Sequence, residues 1–542
     1  MKEQQDIKSL PMKILIAGNF DGASSENPQH TKVTKDDITD LFSQLTPKIY
    51  IRVPNKLTSD PKELNIDLIF NDMESFHPKA IADQVDIIKD AVQVREKLQK
   101  LIDKSISIPE AKSDISDSKV AHNLIPDLIA ILEKTDEDID QQVLDNAIKK
   151  LDSALSDQFD EILHNPKFQE LESTWRGLKL MLENADFPDK VHFEILNVEK
   201  ERFLAEFDDK IFQKEYDDVC EVPLSVILAD YNFTQSPSDM ALLKKIAEKS
   251  HILQVVFVSY FSTDFFGMRN ILHLVALPNL YSRLVSPVQS EWKNFMQDQS
   301  SRWICMTMNR FLGRELYGQN DMKAEIFDYK EKADAGHPDN YLWIRPLWLM
   351  GIVLARSFAT TGSCLSISGL GLGGEFIGLP TRDFPKSRTE TVKISTESSL
   401  TDEKVWNFLY VGVTPLNSID NANIAYFPLS ANAYRAGVAG GVTLHSTLAY
   451  HLFIGHVFHR YYRIHQQIPA GSTAEQIAKF VQDNIFELIT PYGGDNPDET
   501  VTVNVTPVEG ESNLYTVSIL VKPKLQIETK DVEFTLQLQA QV

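Results

Sequence analysis

Val191-His-Phe-Glu-Ile-Leu-Asn-Val198 alternates apolar and polar side chains as a half-buried strand does, and it opens the stretch that decides the fold class. A helical stretch follows, then the apolar run Leu224 to Ala229, a second helical stretch after Pro237, and the strand-like Leu253-Gln-Val-Val-Phe-Val-Ser-Tyr260. Strand and helix patterns that take turns in this way predict a mixed α/β domain. Upstream, Met12 to Ala17 is a short apolar run ending at Gly18, a strand leading into a turn. Ile49 to Val53 and Leu64 to Phe70 also alternate, with Pro54-Asn55 and Ser59-Asp60-Pro61 breaking the chain between them. Ile81, Val85, Ile88, Val92, Leu98 and Leu101 recur close to helical period. Residues 1–104 are therefore expected to form a compact α/β unit. The segment Ser105 to Lys119, rich in Ser, Asp and Lys, reads as a linker.

Beyond the linker, Leu144, Ile148, Leu151, Leu155, Phe159 and Ile162 fall on one stripe of a helix over Val143 to Leu163. Its polar side is acidic, with ten acids against three lysines between Glu133 and Glu161. Such a stripe suits either packing within its own domain or docking of a partner, and Leu144, Ile148, Leu151, Leu155 and Phe159 are the candidate docking residues. The last third ends in three strand candidates, Thr500 to Thr506, Leu514 to Val521 and Val532 to Val542. The final one puts Val532, Phe534, Leu536 and Leu538 on one face and Glu533, Thr535, Gln537 and Gln539 on the other. A chain ending on such a strand leaves an edge that needs partners, either within the chain or by strand exchange with another copy. The expected segmentation is 1–104, a linker and helical segment 105–164, an α/β core 165–480, and a strand-rich end 481–542.

At 542 residues the chain is too long for one core. Its net charge of −23 repels nucleic acid and anionic membrane surfaces, so nucleic acid is not an expected partner. Copies of the chain also repel one another at long range, and self-assembly must rest on apolar contact, strand pairing or local charge complementarity. Cys220, Cys305 and Cys364 lack metal spacing and read as free thiols in a reducing compartment. The N-terminus has no apolar leader, and the most membrane-like run, Leu347 to Ala355, is far short of the ~20 residues of a spanning helix. A cytosolic protein without membrane insertion is expected.

Three features imitate chemistry. Gly369-Leu-Gly-Leu-Gly-Gly374 satisfies GxGxxG after a strand-like run, but Gly378 and Pro380 oppose the helix a dinucleotide site needs. A glycine-rich turn with positive φ is expected instead. His445, His451, His456, His459 and His465 crowd into one stretch, yet only His456 and His459 have ligand spacing on one helix face. The aromatics among them point to a helix in a packed interface. Tyr341-Leu-Trp-Ile-Arg-Pro-Leu-Trp348 reads as core. With no P-loop, GxSxG or HExxH, no catalytic residue, cofactor or metal is expected.

Two separate blocks resemble two subunits of one machine. Pro11-Met-Lys-Ile-Leu-Ile-Ala-Gly-Asn-Phe-Asp-Gly22, Leu45 to Leu57 and Phe76 to Val85 resemble the small sheath subunit of the bacterial type VI secretion system. Phe168-Gln-Glu-Leu-Glu-Ser-Thr-Trp-Arg-Gly-Leu178, Leu228 to Phe233 with Asp239 and Leu242-Leu243, and the Gly369 to Pro380 region resemble the large subunit. Ala229 stands where that family usually has glycine, and Phe311 to Tyr317 matches its usual motif loosely. The resemblance implies a fused, multidomain contractile-sheath protomer that stacks into a tube around an inner-tube protein and contracts, driving secretion into target cells. It also implies a baseplate contact, recycling by an AAA+ unfoldase, and exchanged terminal strands between subunits. Competing readings are a sheath-like baseplate or scaffold part, and an α/β enzyme or ligand-binding protein.

Overall fold

The strand Met12–Gly18 (β1) lies inside a seven-stranded sheet and all seven of its residues are buried. The computed structural model describes residues 10–541 apart from 23–27, 135–138, 218–219, 286–289, 321, 335, 436–440, 493–495 and 512. The other strands of this sheet are Gln29–Val33 (β2), Val191–Asn197 (β3), Leu224–Phe233 (β4), Val256–Phe261 (β5), Ile304–Met308 (β6) and Val413–Pro415 (β7). Their order is β7-β6-β5-β4-β1-β3-β2, and every pairing is parallel except β3 with β2. A parallel sheet covered on both faces favours continuous apolar strands, which is why Met12 to Ala17 shows no alternation. Ile14 and Ile16 face one core with Trp175 and Trp348, while Leu15 and Ala17 face another with Leu243 and Ile246.

The first core is closed by two helices, Pro166–Asn184 and Leu347–Thr361, that cross at small residues. A Cβ on Gly177 would stand 2.6 Å from the Trp348 ring, and one on Gly351 would stand 2.6 Å from Leu228 Cδ1. Only glycine permits this approach, which gives the Trp-Arg-Gly-Leu sequence its packing role.

The expectation of a self-contained N-terminal unit needs correcting. β1 is bracketed by β3 and β4, so residues 12–18 complete the sheet of the following block. The hairpin of Lys48–Pro54 and Glu63–Ile69 and the helix Asp86–Ile102 (α1) lie outside this sheet. The linker reading is also corrected. Residues 108–132 fold into three short helices, Ile108–Asp117, Lys119–Leu124 and Pro126–Leu132, and bury Ile115, Val120 and Leu132. Their polar composition hid helix starts: Ser107 and Glu110 form a capping box and Pro109 sits in the first turn.

The amphipathic helix is Gln141–Leu163 (α2), and its stripe is core. Leu151, Leu155 and Phe159 are fully buried, and Leu144 and Ile148 nearly so. Phe159 packs beside Phe327 and Tyr329. The Gln158 amide donates to Pro54 O and accepts from Lys56 N–H, tying α2 to the hairpin. The five docking candidates are thus covered by this chain, because the hairpin, α1 and the loop around Phe327 close over that face.

Candidate assembly surfaces

The C-terminal strands Val501–Pro507 (β8), Leu514–Val521 (β9) and Phe534–Gln541 (β10) form one antiparallel sheet in the order β8-β9-β10. The three strand candidates therefore pair within the chain. Val542 and the N-terminal arm, residues 1–9, lie outside the described residues. The apolar side of β10 turns inward: Val532 and Phe534 are buried, and Leu536 and Leu538 are half-buried against the core. The expectation that these four enter pockets of another copy is corrected for Val532 and Phe534, whose contacts are intramolecular. What survives is an edge, since among the described residues β10 pairs on one side only.

The helix Leu448–His465 (α3) fastens this sheet to the main body. Tyr450 Oη donates to Glu533 O and Tyr461 Oη to Gln539 O, both at 2.9 Å. Phe534 meets Tyr450 and Phe453 edge-on. The opposite side of α3 presses on the sheet through histidines. His451 lies against Trp303 and bonds His445 O at 3.0 Å, and His459 bonds Leu253 O at 3.0 Å. Burial pushes His451 down to about 3 and His456 to about 4, and lowers His459 as well. These side chains are neutral packing groups, as the interleaved aromatics implied. Among the described residues no group of His, Cys, Asp and Glu is placed to hold a metal ion.

The glycine block is a turn. Gly369, Gly371 and Gly373 have positive φ, and the strand Glu375–Ile377 follows where a dinucleotide site needs a helix. Glu375 Oε2 accepts from Gly371 N–H and Gly373 N–H, which holds Leu370 and Leu372 out in solvent. Cys305 and Cys364 are buried free thiols, pushed up to about 12 by burial. No helix among the described residues is long and apolar enough to cross a membrane.

An ion network went unseen in the sequence. Arg314 donates to Glu172 at 3.0 Å and to both oxygens of Glu331 at 2.6 and 3.1 Å, with all three side chains buried. Arg176 shares the Glu172 carboxylate at 2.7 Å. Burial alone would raise the Glu331 carboxyl, but Arg314, helped by His164 and Tyr317 N–H, holds it at about 2. The network pins the irregular segment 313–342 to the helix Pro166–Asn184. The same segment reaches the N-terminal block, where His77 meets Lys323 O and Arg95 lies over Phe327. Glu172 and Arg314 sit inside sequence blocks already singled out, but nothing in either block signals pairing across so many residues.

Residues 145–434, more than half the chain, match the family VipB, described as EvpB/VC_A0108, tail sheath N-terminal domain. The chain belongs to this tail sheath family. Residues 1–124 match a second family, described as type VI secretion system, VipA, VC_A0107 or Hcp2. The type VI secretion system sheath protein TssC1 of Pseudomonas aeruginosa is 27% identical over 426 residues, which cover 72% of this chain and 85% of that protein. Among solved structures, the sheath tail protein of Desulfitobacterium hafniense overlaps with TM-score 0.32 and 9% identity, covering 62% of this chain and 60% of that one. The contracted sheath of an extracellular contractile injection system overlaps with TM-score 0.35 and 9% identity, covering 68% and 77%. The chain spans about 60% of the length of the sheath tail proteins it overlaps. One polypeptide thus carries both small- and large-subunit sheath sequence, and it is a sheath protomer of the type VI kind.

Proposed function

We propose that copies of this chain polymerise into a helical sheath around an inner tube in the bacterial cytoplasm, and that contraction of the sheath drives the tube outward. Its role is mechanical rather than catalytic. The inner-tube protein, a baseplate and an AAA+ unfoldase that recycles spent sheath are its expected partners. The observation that carries the reading is the single sheet shared by the two subunit-like blocks, with β1 seated between β3 and β4. A fused core of this kind enforces equal numbers of both sheath parts in a lattice. The unpaired side of β10 supplies an edge for a strand of a neighbouring copy. Energy for the stroke then resides in subunit contacts, with an extended lattice that gains interface on shortening and consumes no nucleotide.

Electron microscopy of the purified full-length chain, treated with chelator and apyrase, tests this. Long tubes across a range of salt and concentration are the expected outcome. Discrete small oligomers under all conditions would refute the polymer reading.

A further inference from the structure

Beyond the carboxyl ends of β5 and β6, where open α/β sheets take ligands, lies a cavity of about 40 Å3. Its charged lining is Arg269, Arg310, Arg382, Asp339 and Glu397. Three arginines against two acids make a positive spot on a chain whose net charge is −23. Glu397 is already engaged, since Arg310 Nη2 and Arg310 N–H donate to its two oxygens at 2.8 Å each.

Arg382 is the unusual member. Only 7% of it is exposed, and among the described residues no carboxylate pairs with its guanidinium. Its Nη1 donates to Asp383 O at 3.2 Å and its Nη2 to Glu397 O at 2.6 Å, both backbone carbonyls. Arg382 Nε is buried without an acceptor, and so is Arg310 Nε. The guanidinium lies over Tyr341, Trp343 and Phe384, each ring centre at 5.3 Å. The rings hold its plane but cannot neutralise it. Burial pushes the Arg382 guanidinium down from its usual range, opposed by Tyr341 and Glu397. A buried cation with an unused donor, beside a half-buried arginine that Glu397 already engages and reached from solvent by exposed Arg269, lacks an oxyanion.

We propose that this cavity is an oxyanion site, and that in the polymer it receives a side-chain carboxylate from a second copy of this chain. The second half rests on the sheath reading. The charge balance selects that occupant: a surface of an acidic copy brought against this spot presents carboxylates far more often than any other anion. Free phosphate is the other source of the same chemistry. The contact would also meet the requirement that copies which repel at long range find local charge complementarity.

The test uses the full-length chain and two measurements. Inorganic phosphate is titrated calorimetrically at constant ionic strength in chloride, and the critical concentration for tube formation is followed by pelleting. Arg269→Glu changes an exposed side chain and leaves the core intact, and Arg382→Gln, checked by circular dichroism, removes the buried charge. Expected are saturable phosphate binding at one site per chain, weakened at least about tenfold by either variant, and a critical concentration raised by both phosphate and Arg269→Glu. Phosphate binding with an unchanged critical concentration overturns the second-copy occupant and assigns the site to a free anion. Failure of phosphate to bind, with folded variants that assemble normally, overturns the site itself. If the wild-type chain forms no tubes in any buffer, the sheath reading fails, and the phosphate titration still decides the cavity.

Discussion

Acidification should loosen the C-terminal sheet from the body before it unfolds the rest of the chain. The perturbation acts on α3, where His451 is buried and His456 half-buried, both neutral, with pKa values held to about 3 and about 4. In the unfolded chain each returns to about 6.5. A histidine whose folded value is depressed binds more protons when unfolded, so its contribution is intact above pH 6.5 and is lost as pH falls toward the folded value. At pH 5 each side chain lies about 1.5 units below its unfolded value and above its folded one, which costs about 2 kcal/mol per histidine, or about 4 kcal/mol together. His459, lowered by the same burial, adds to this in the same direction. The loss falls where α3 meets Trp303, Phe358 and the end of the helix Pro237–Leu253. Hydrogen exchange of the unassembled chain at pH 7.5 and 5.0, corrected for intrinsic rates, measures it locally. Protection of α3 and β10 should fall by roughly two to three orders of magnitude at pH 5, while β1 and β4 stay protected. Replacing His451 by Gln and His456 by Leu should flatten that dependence. Equal protection of α3 at both pH values, or an unchanged pH dependence in the double variant, would refute the reasoning.

Arg314→Met leaves Glu172 and Glu331 buried without their shared cation, so stability measured in urea should drop by about 3–5 kcal/mol. Leu151→Ala removes a fully buried side chain from α2 and should cost about 2–5 kcal/mol in the same assay, whereas a docking residue would leave stability unchanged. Gly177→Ala forces a methyl group against Trp348, and about 1–3 kcal/mol of destabilisation is expected, seen as a lowered Tm and altered tryptophan fluorescence. Removing Lys530 to Val542 strips β10 from β9, and microscopy should then show no tubes from a chain whose seven-stranded sheet still gives its circular dichroism signal.

The strands were legible as apolar runs: Val191 to Asn197, Leu224 onward and Val256 to Phe261 all stand where those runs placed them, although the alternation read in Val191 to Val198 does not mark a half-buried strand, since every residue of Val191–Asn197 but His192 is buried. Their neighbours were not legible. Nothing in Met12 to Gly18 says that it pairs with residues 191 and 224 rather than with the nearby hairpin, since a continuous apolar run records burial on two faces and no partner. The α2 stripe was read correctly as an apolar face, but the sequence leaves open whether the covering surface belongs to the same chain. Residues 105–119 looked like a linker because the short helix Ile108–Asp117 carries few apolar residues, and its capping residues are those of loops. The oxyanion cavity was invisible for a different reason. Arg269, Arg310 and Arg382 are spread over more than a hundred residues, and only the sheet's carboxyl ends bring them to one place.

The position of β1 also dictates how the chain is made. It leaves the ribosome well before its two neighbours, which begin at residues 191 and 224. For the time needed to synthesise the intervening chain, an apolar strand with two open edges waits without its partners, in the condition that invites aggregation. Closing that loop costs only slowly growing entropy, and a tether keeps the strand at high effective concentration near its slot however dilute the protein is. Carrying both halves on one polypeptide therefore replaces an encounter between molecules with a delay inside one, and the sheet forms at a rate set by topology rather than by supply of a second subunit.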